Sequence, residues 1–506
     1  MNIITEINNW IVNNLGQLDL DLIQKWIIFD PKAPILFNTL QFLCIFLVFY
    51  PIYILIIRLK TNTFRNLYVF VFSVFFYYLS SGTYFGLLLF SGVVDYNLAK
   101  ILHEEKQQSY RRFYLILSVV LNLAFLSYFK YANFFAENIN AIGGTNYFFE
   151  KVALPVGISF YTFQSMSYII DIYRRELQPT KNLLDYMFFV SFFPQLVAGP
   201  IVRASEFIPQ IYAKINLTRN EVNRALFLII GGLIKKTIVS DYISLNFVDR
   251  IFDSPNTYSS FENLMATYGY TIQIYCDFSG YSDMAIGIAL LMGFKLSVNF
   301  RTPYKSASIT EFWRRWHISL STWLRDYLYI SLGGNRKGKL RMYINLFLTM
   351  LLGGLWHGAS WKFIVWGALH GTQLVVERLC KDYLKLPKNK FTWFISLLLT
   401  FHFVSFCWVY FRAKDFSTAN QLLVNIGNIT PDFGQFKTIL LGYQNVFLVM
   451  LFAYAWHFLP SKLSLFMEQR FGQLPIVLKA VVLAMVFWLV FAASSEGPQP
   501  FIYFQF

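Results

Sequence analysis

The sequence has few charged residues for its length. Of its 506 residues, 14% are Asp, Glu, Lys or Arg, whereas soluble domains carry about 25%. Residues 34–57 and 66–94 contain no charged residue at all. A helix needs about 20 apolar residues to cross the hydrocarbon core of a bilayer. The scarcity of charge therefore excludes an ordinary soluble domain, and the length of the runs excludes the strands of a membrane barrel.

Cysteines and metal motifs are also scarce. The four cysteines, Cys44, Cys276, Cys380 and Cys407, lie in or beside apolar segments without metal-type spacing, so we expect buried free thiols. The H-E-x-x-H, G-x-S-x-G and Walker patterns are absent. These absences exclude an intramembrane zinc protease with that ligand set, and no metal or bound cofactor is expected.

Negative charge is scarce relative to positive charge. The chain has 43 Lys and Arg against 28 Asp and Glu, which gives a net charge of +15. No nucleic-acid-binding signature accompanies this excess, and basic residues collect in the cytoplasmic loops of membrane proteins. The basic loops at 58–65, 100–112, 174–175 and 301–341 all fall on the cytoplasmic side if the N-terminus lies outside. We expect contact with membrane lipid and none with nucleic acid.

The first 32 residues differ from the rest of the chain. Acidic residues interrupt them, so they do not resemble a signal peptide. Apolar residues recur there at helical spacing, at Ile4, Ile7, Trp10 and Ile11. Residues 1–32 are therefore predicted to form an amphipathic segment on the membrane surface.

Residues 33–506 are predicted to form one all-α, multispanning membrane domain without internal repeats. Segments 184–203 and 323–334 are short or interrupted by Pro and Gly, which is typical of helices that enter the membrane and turn back. The predicted spans are 34–57, 66–81, 84–101, 113–136, 153–173, 184–200, 223–242, 263–293, 342–357, 361–380, 392–411, 443–460 and 475–494.

One histidine ends an apolar span. In LLGGLWHGASW, residues 351–361, a continuous helix would place Gly353 and Trp361 on the face of His357. Gly353 predicts open space beside the ring, and Gly358 predicts the close approach of another backbone. An ionisable side chain at this depth indicates function. A neutral histidine bonded to a neighbouring helix is an equal alternative.

A second histidine lies in FWRRWHISLSTW, residues 312–323. On a helix, Trp313 and Arg314 would share a face with His317. Arginine and tryptophan suit an anionic ligand with a flat ring, because guanidinium binds phosphate in a forked geometry and indole offers a stacking surface. The alternative is basic anchoring with interfacial tryptophans. Arg325, close by in a segment too short to span, favours the ligand.

The other polar residues of the apolar segments favour structural roles. Asp277 and Asp283 lie in a long apolar helix and must pair or stay protonated. Lys235, Lys236 or Arg301 would supply the partners.

The remaining histidines are less distinctive. His370 either orients His357 or packs, and we favour packing. His402 and His457 are typical of helix interiors, and His103 lies in a charged loop.

The sequence resembles the membrane-bound O-acyltransferase family, in its bacterial branch of alginate O-acetylation and teichoic acid D-alanyl transfer proteins. The resemblance runs from about residue 150 to 500 and is most characteristic over 150–380. It rests on pieces in family order: VGISFYTFQSMSYIID (156–171), FFPQLVAGPIVR (192–203), YCDFSGYSDMAIG (275–287), NFRTPYKSASITEFWRRWHISLSTWLRDYLYISLGGNR (299–336), LLGGLWHGASW and the terminal FIYFQF.

The resemblance implies a ring of tilted helices with short re-entrant helices around a central tunnel. His357 matches the family's near-invariant histidine, and His317 matches the second histidine of the bacterial branch. The family moves an acyl group from a thioester to a hydroxyl. For acetylating members in a bacterial cytoplasmic (inner) membrane, it implies cytoplasmic acetyl-CoA as donor substrate, with an extracytoplasmic SGNH-type acyltransferase and a polysaccharide as partners.

These implications lead to specific residue roles. His357 is predicted to deprotonate the acceptor hydroxyl, since neutral imidazole suits that task near pH 7. His317 is predicted to position or stabilise the thioester carbonyl. The residues predicted to line the donor opening are Trp313, Arg314, Arg315, Trp316 and Arg325.

Three other functions remain open from the sequence. A transporter or flippase for a lipid-linked sugar also uses broken helices and a central cavity, although no repeated halves are present. A scaffold would only recruit the extracytoplasmic enzyme, and would work without either histidine. Transfer of D-alanine or another short acyl group is the third.

Overall fold

The computed structural model describes residues 26–502, except 60, 150–153, 385, 386, 388, 429–432, 494–498 and 500. Most of the interfacial segment predicted over 1–32 therefore lies outside the described residues. The described part is mainly helical and contains no β-strand. Its α-helices are α1 Leu40–Ile56, α2 Asn62–Ser81, α3 Phe85–Glu104, α4 Gln108–Leu126, α5 Ala132–Gly143, α6 Ile158–Tyr173, α7 Leu183–Ser191, α8 Phe193–Leu196, α9 Ala204–Tyr212, α10 Arg219–Leu233, α11 Asp249–Asp253, α12 Ser260–Leu291, α13 Ile309–Trp313, α14 Ile318–Trp323, α15 Lys339–His357, α16 Trp361–Tyr383, α17 Lys390–Arg412, α18 Phe416–Gly427, α19 Phe433–Gly442, α20 Gln444–Phe458, α21 Ser461–Gln473 and α22 Ile476–Ala493.

Several of these helices suit a membrane. Within the described ranges, four stretches are long and apolar enough to cross one: Asn62–Glu104, Gln108–Gly143, Lys390–Arg412 and Ile476–Ala493. Helices α19 and α20 add a fifth if they form one span, bent by 81°. These stretches confirm the prediction of a helical membrane protein, but they are fewer than the thirteen spans that the sequence predicts.

The difference arises partly because some apolar segments are buried in protein. The predicted span 263–293 is the 32-residue helix α12, whose residues are buried on nearly all sides. Segment 184–200 forms the short helices α7 and α8, and residues 185–202 are all buried. A hydropathy pattern does not distinguish burial in lipid from burial in protein.

Ion pairs satisfy the charged residues within this core. Lys235 Nζ lies 2.6 Å from Asp283 Oδ2. Lys236 Nζ lies 2.6 Å from Asp277 Oδ1 and 2.8 Å from Asp241 Oδ1. The predicted pairing of acids on α12 with the two lysines is confirmed, and it joins α12 to the π-helical segment that follows α10.

Helices α15 and α16 form a tight pair that carries His357. A Cβ atom on Gly354 would lie 2.3 Å from the carbonyl oxygen of Phe363 and 2.9 Å from the Cα of Gly367. The two backbones therefore approach more closely than any larger residue would permit. Glycine at these positions allows α15 and α16 to pack this closely.

Candidate functional site

His317 lies in a break between two short helices. Helix α13 ends at Trp313 and α14 begins at Ile318, and His317 adopts a left-handed conformation with φ 41°. The prediction that His317 shares a helical face with Trp313 and Arg314 is therefore wrong. Among the described residues, only two other non-glycine residues have positive φ. Such backbone outliers are costly and concentrate at functional sites.

A network of hydrogen bonds holds the His317 ring. Its Nδ1 lies 3.1 Å from Oδ1 of Asn299. The same oxygen accepts hydrogen bonds from the backbone N–H of Ser319 at 3.2 Å and from its hydroxyl at 2.9 Å. The backbone N–H of Ile318 donates to the carbonyl oxygen of Asn299 at 2.9 Å. These bonds attach the left-handed turn to the irregular segment that follows α12.

Four aromatic rings surround His317, which is 0% exposed. Its ring centroid lies 4.6 Å from that of Phe278 and 6.3 Å from that of Trp356. Phe160 and Phe300 are each 6.5 Å away and nearly parallel to the imidazole. His317 therefore lies inside the protein rather than in a solvent-exposed loop.

His357 is the last residue of α15 and is 4% exposed. The predicted helix is confirmed up to this residue, but the surroundings differ. Leu324 fills the space expected beside Gly353, and Trp361 begins the next helix. Gly358 packs against the ring of Phe363, where an added Cβ would lie 2.1 Å from a ring carbon. The predicted open face is therefore wrong.

A lysine from a distant helix caps the end of α15. Lys130 donates from Nζ to the carbonyl oxygens of Trp356 at 2.8 Å and His357 at 3.0 Å. The hydroxyl of Tyr131 donates to the carbonyl of Leu355 at 2.8 Å. Helix C-termini need such donors because their last carbonyls have no partner within the helix. The π-helical turn 127–131 thus fixes the position of His357.

A small cavity of about 70 Å³ lies beside His357. Its wall includes Lys130, Ser159, Phe160 and Trp356, together with the turn that precedes α6. Gly157 shapes that turn, since its φ is +76° and a Cβ would lie 2.3 Å from the carbonyl oxygen of Leu196. The cavity has room for a few water-sized groups.

A second cavity is larger, with a volume of about 450 Å³. Three basic side chains contribute to its wall, from Lys235, Arg301 and Arg315. Phe300, which contacts His317, also lines it. The remaining wall comes from the end of α20 and the start of α21, including Trp456 and His457.

His317 contacts aromatic rings from the walls of both cavities, although it lines neither. Phe160 and Trp356 line the small cavity, and Phe300 lines the large one. All three rings contact the imidazole of His317. Trp356 also contacts His357, with ring centroids 5.1 Å apart. Both histidines thus contact one aromatic wall, formed by the rings of Phe160, Phe300 and Trp356 that line the two cavities.

The other predicted site residues are divided among several places. Arg315 lines the large cavity and lies 2.6 Å from Glu311, whereas Arg314 lines a separate cavity of about 240 Å³. Arg325 is exposed and lies 2.6 Å from a carboxylate oxygen of Asp326. The two tryptophans are buried.

Trp313 and Trp316 pack within the aromatic interior. The Trp313 ring lies 5.7 Å from Trp366, and the Trp316 ring lies 4.9 Å from Trp408. His370 has the packing role that we favoured, because aromatic rings surround it, with Trp366 at 4.7 Å.

The sequence analysis did not identify four residues of the site. Lys130 is a charge within a predicted span, which is itself a functional signal. His457 accepts a hydrogen bond from the backbone N–H of Tyr304 at 3.1 Å and lines the large cavity. Asn299 and Phe300 begin the family-like segment 299–336, but only their contacts with His317 show that they belong to the site.

The comparison with known families identifies the family of the chain. Residues 29–414 match the membrane-bound O-acyltransferase family. The chain belongs to this family. It is therefore an O-acyltransferase of multi-pass membrane type, and the transporter interpretation is no longer needed.

Its relatives act on cell-surface polymers, according to their names. The chain is 36% identical to the peptidoglycan O-acetyltransferase of Helicobacter pylori, over 93% of this chain and 98% of the relative. It is 38% identical to the probable alginate O-acetylase AlgI of Pseudomonas putida, over 93% of this chain and 100% of the relative. The teichoic acid D-alanyltransferase of Bacillus subtilis is 31% identical over 52% of this chain and 69% of the relative.

Proposed function

We propose that this enzyme takes the acetyl group of cytoplasmic acetyl-CoA and passes it across the membrane to a hydroxyl of a polysaccharide or of an extracytoplasmic partner. One observation carries the proposal: His357 lines a small cavity, and the aromatic rings that contact His317 line that cavity and a large basic one. The acetylating relatives support an acetyl donor and a polysaccharide acceptor.

The large cavity suits the donor. Coenzyme A carries phosphates and an adenine ring, and the cavity offers Lys235, Arg301 and Arg315 with the indole of Trp456. Guanidinium groups bind phosphate oxygens in pairs, and aromatic rings stack on bases. A volume of about 450 Å³ lies within the range of small-molecule sites. Among the predicted donor residues, Arg315 has the strongest support.

The small cavity suits the acceptor. It lies beside His357 at the opposite end of α15 from the basic residues near Lys339. If the basic loops are cytoplasmic, this end of α15 faces the extracytoplasmic side of a bacterial inner membrane. A hydroxyl in the cavity would meet His357 without crossing the bilayer. An extracytoplasmic SGNH-type transferase or the glycan itself would supply that hydroxyl.

The chemistry needs one proton acceptor and no metal. The hydroxyl oxygen bonds to the acyl carbon, the carbon–sulfur bond breaks, and the sulfur leaves as a thiolate. The hydroxyl proton goes to a histidine nitrogen and from there to the thiolate, so that coenzyme A leaves as a thiol. His357 is the residue that we propose as the general base, because it lines the small cavity.

A reconstituted assay tests the proposal. Purified wild-type protein is incubated with acetyl-CoA labelled in the acetyl group, with and without the extracytoplasmic protein encoded by a neighbouring gene. Labelled product and free coenzyme A are expected, and the His357→Ala variant should release neither. Wild-type protein that yields no product and no free coenzyme A, with the partner present, contradicts the proposal.

A second donor is worth comparing because of the D-alanyltransferase relative. The same assay with a labelled D-alanyl thioester should give less product than acetyl-CoA. A preference for the D-alanyl donor would change the acyl group but leave the two-cavity arrangement in place.

A further inference from the structure

We propose that Asn299 fixes the proton of His317 on Nδ1, which makes Nε2 of His317 a proton acceptor during transfer. The sequence-based prediction gave His317 the opposite task, positioning the thioester carbonyl, which requires a hydrogen-bond donor. The proposal rests on the proposed function and assigns a positioning role to Asn299, which the sequence analysis did not identify as a site residue.

The orientation of the Asn299 amide is the first step. A backbone N–H can only donate, and the N–H of Ser319 points at the Asn299 side-chain atom that faces His317, at 3.2 Å. That atom must therefore be the amide oxygen. The amide nitrogen faces the other way, 3.2 Å from the hydroxyl oxygen of Ser282. The donors around the Asn299 amide therefore determine its orientation.

The tautomer of His317 is the second step. The Asn299 oxygen only accepts, so the Nδ1 atom at 3.1 Å must carry the proton and donate it. In a neutral imidazole the other nitrogen then has a lone pair and no proton. Nε2 of His317 therefore accepts a hydrogen bond or a proton, and a neutral ring in this state cannot donate to a carbonyl oxygen from Nε2.

Burial and the backbone hold the His317 ring in its contact with Asn299. His317 is 0% exposed, and its left-handed turn is held by the bond from the Ile318 N–H to the Asn299 carbonyl. Asn299 is itself 1% exposed. One residue thus binds the turn through its main chain and the imidazole through its side chain. The ring orientation and the tautomer are set together.

The consequence for transfer is a defined proton path. The proton that leaves the hydroxyl is taken up on the acceptor side and passes through Nε2 of His317 to the leaving sulfur. His317 is well placed for this because it lies between the rings that line the two cavities. No oxidant, reductant or metal is needed, and every proton removed from the hydroxyl ends on the coenzyme A thiol.

Four variants test the role of Asn299. In Asn299→Leu the acceptor is lost at similar volume, so kcat should fall about 100-fold or more, the usual contribution of a proton-transfer group, with little change in the donor KM. In Asn299→Asp a carboxylate still accepts from Nδ1, so kcat should be largely kept. Its charge stabilises the protonated ring, so the pH below which activity is lost should rise.

His317→Asn separates the two roles of His317. An asparagine amide can donate to a carbonyl but cannot take up a proton, so this variant should be as inactive as Asn299→Leu. Ser282→Ala is the matched control, because it removes the partner of the Asn299 nitrogen and leaves the bond to His317 intact; its kcat should stay near that of wild type. Near-wild-type kcat in His317→Asn or in Asn299→Leu would overturn the proposal.

Two measurements keep failure of folding and failure of the proposed function apart from failure of this inference. Thermal midpoints and gel filtration in detergent identify variants that do not fold. If Asn299→Leu does not fold, the kcat values of Asn299→Asp and His317→Asn test the inference in its place. Imidazole nitrogen NMR shifts of histidine-labelled protein report the tautomer without any activity. An Nε2-protonated His317 in wild type refutes the inference even if acetyl transfer is found.

Discussion

The two cavities that the aromatic wall lines differ in size, charge and construction. The large one has a volume of about 450 Å³ and three basic side chains, whereas the small one has about 70 Å³ and one lysine, Lys130. The basic groups of the large cavity include the exposed Arg301, while Lys130 donates to the end of a helix. The large cavity therefore suits the proposed anionic donor, whereas the lysine of the small cavity holds the end of α15 in place.

The largest effect should come from the ring that faces the small cavity. Changing His357 to Ala removes the proposed general base, so kcat should fall about 100-fold or more, while binding of the donor in the large cavity persists. Initial rates with labelled acetyl-CoA and a donor-binding measurement check this. His402→Ala is the control, since His402 bonds to a carbonyl of its own helix at 2.8 Å. Equal rates for His357→Ala and His402→Ala would show that His357 is not the general base, and the small cavity would then have no special role.

Removing the helix cap should have the next largest effect. Lys130→Met leaves the carbonyls of Trp356 and His357 without their donor, at a cost of about 1–3 kcal/mol for a buried group. The expected result is a lower thermal midpoint and a lower kcat with an unchanged donor KM. Tyr131→Phe, which loses one bond to Leu355, should lower the midpoint less. A raised donor KM in Lys130→Met would mean that the lysine binds donor instead.

The basic side chains of the large cavity should affect donor binding alone. Arg301→Gln combined with Arg315→Gln should raise the donor KM about 10-fold, the equivalent of about 1.4 kcal/mol, with kcat nearly unchanged. The difference from wild type should shrink as salt is added, because both charges are partly solvated. Arg341→Gln, an exposed residue at the start of α15, is the control. A change in kcat without a change in KM would place the donor elsewhere.

The smallest effect concerns the wall itself. Phe300 separates the large cavity from His317, and enclosed sites protect reactive groups from water. Phe300→Ala should raise the hydrolysis of acetyl-CoA in the absence of an acceptor, with a modest loss of transfer. Release of free coenzyme A without labelled product measures this. Hydrolysis at the wild-type rate would show that other rings keep water out.

Local sequence patterns predicted those features that follow from the residue types themselves. The end of a helix at His357 follows from an apolar run that meets Gly358. The pairing of α12 acids with two lysines follows because buried charges need partners. Neither prediction requires knowledge of which helices are neighbours.

The predictions failed where a distant segment decides the outcome. A helical face for His317 is a reasonable expectation for an apolar and aromatic run, but the turn is held left-handed by Asn299, 18 residues earlier. The open space expected beside Gly353 is filled by Leu324. Trp313 and Trp316 resemble surface-anchoring residues in the sequence. In the structure they are buried, because they pack against Trp366 and Trp408.

The sequence by itself determined the class of the molecule, because apolar length and charge scarcity are properties of consecutive residues. The order of its motifs gave the family resemblance, which implied acyl transfer and drew attention to His317 and His357. Only the tertiary structure decided that rings around His317 line two unequal cavities, that Lys130 donates to the carbonyl of His357 and that Asn299 contacts the His317 imidazole. These depend on contacts between residues far apart along the chain, which the packing of α6, α12 and α15 brings together.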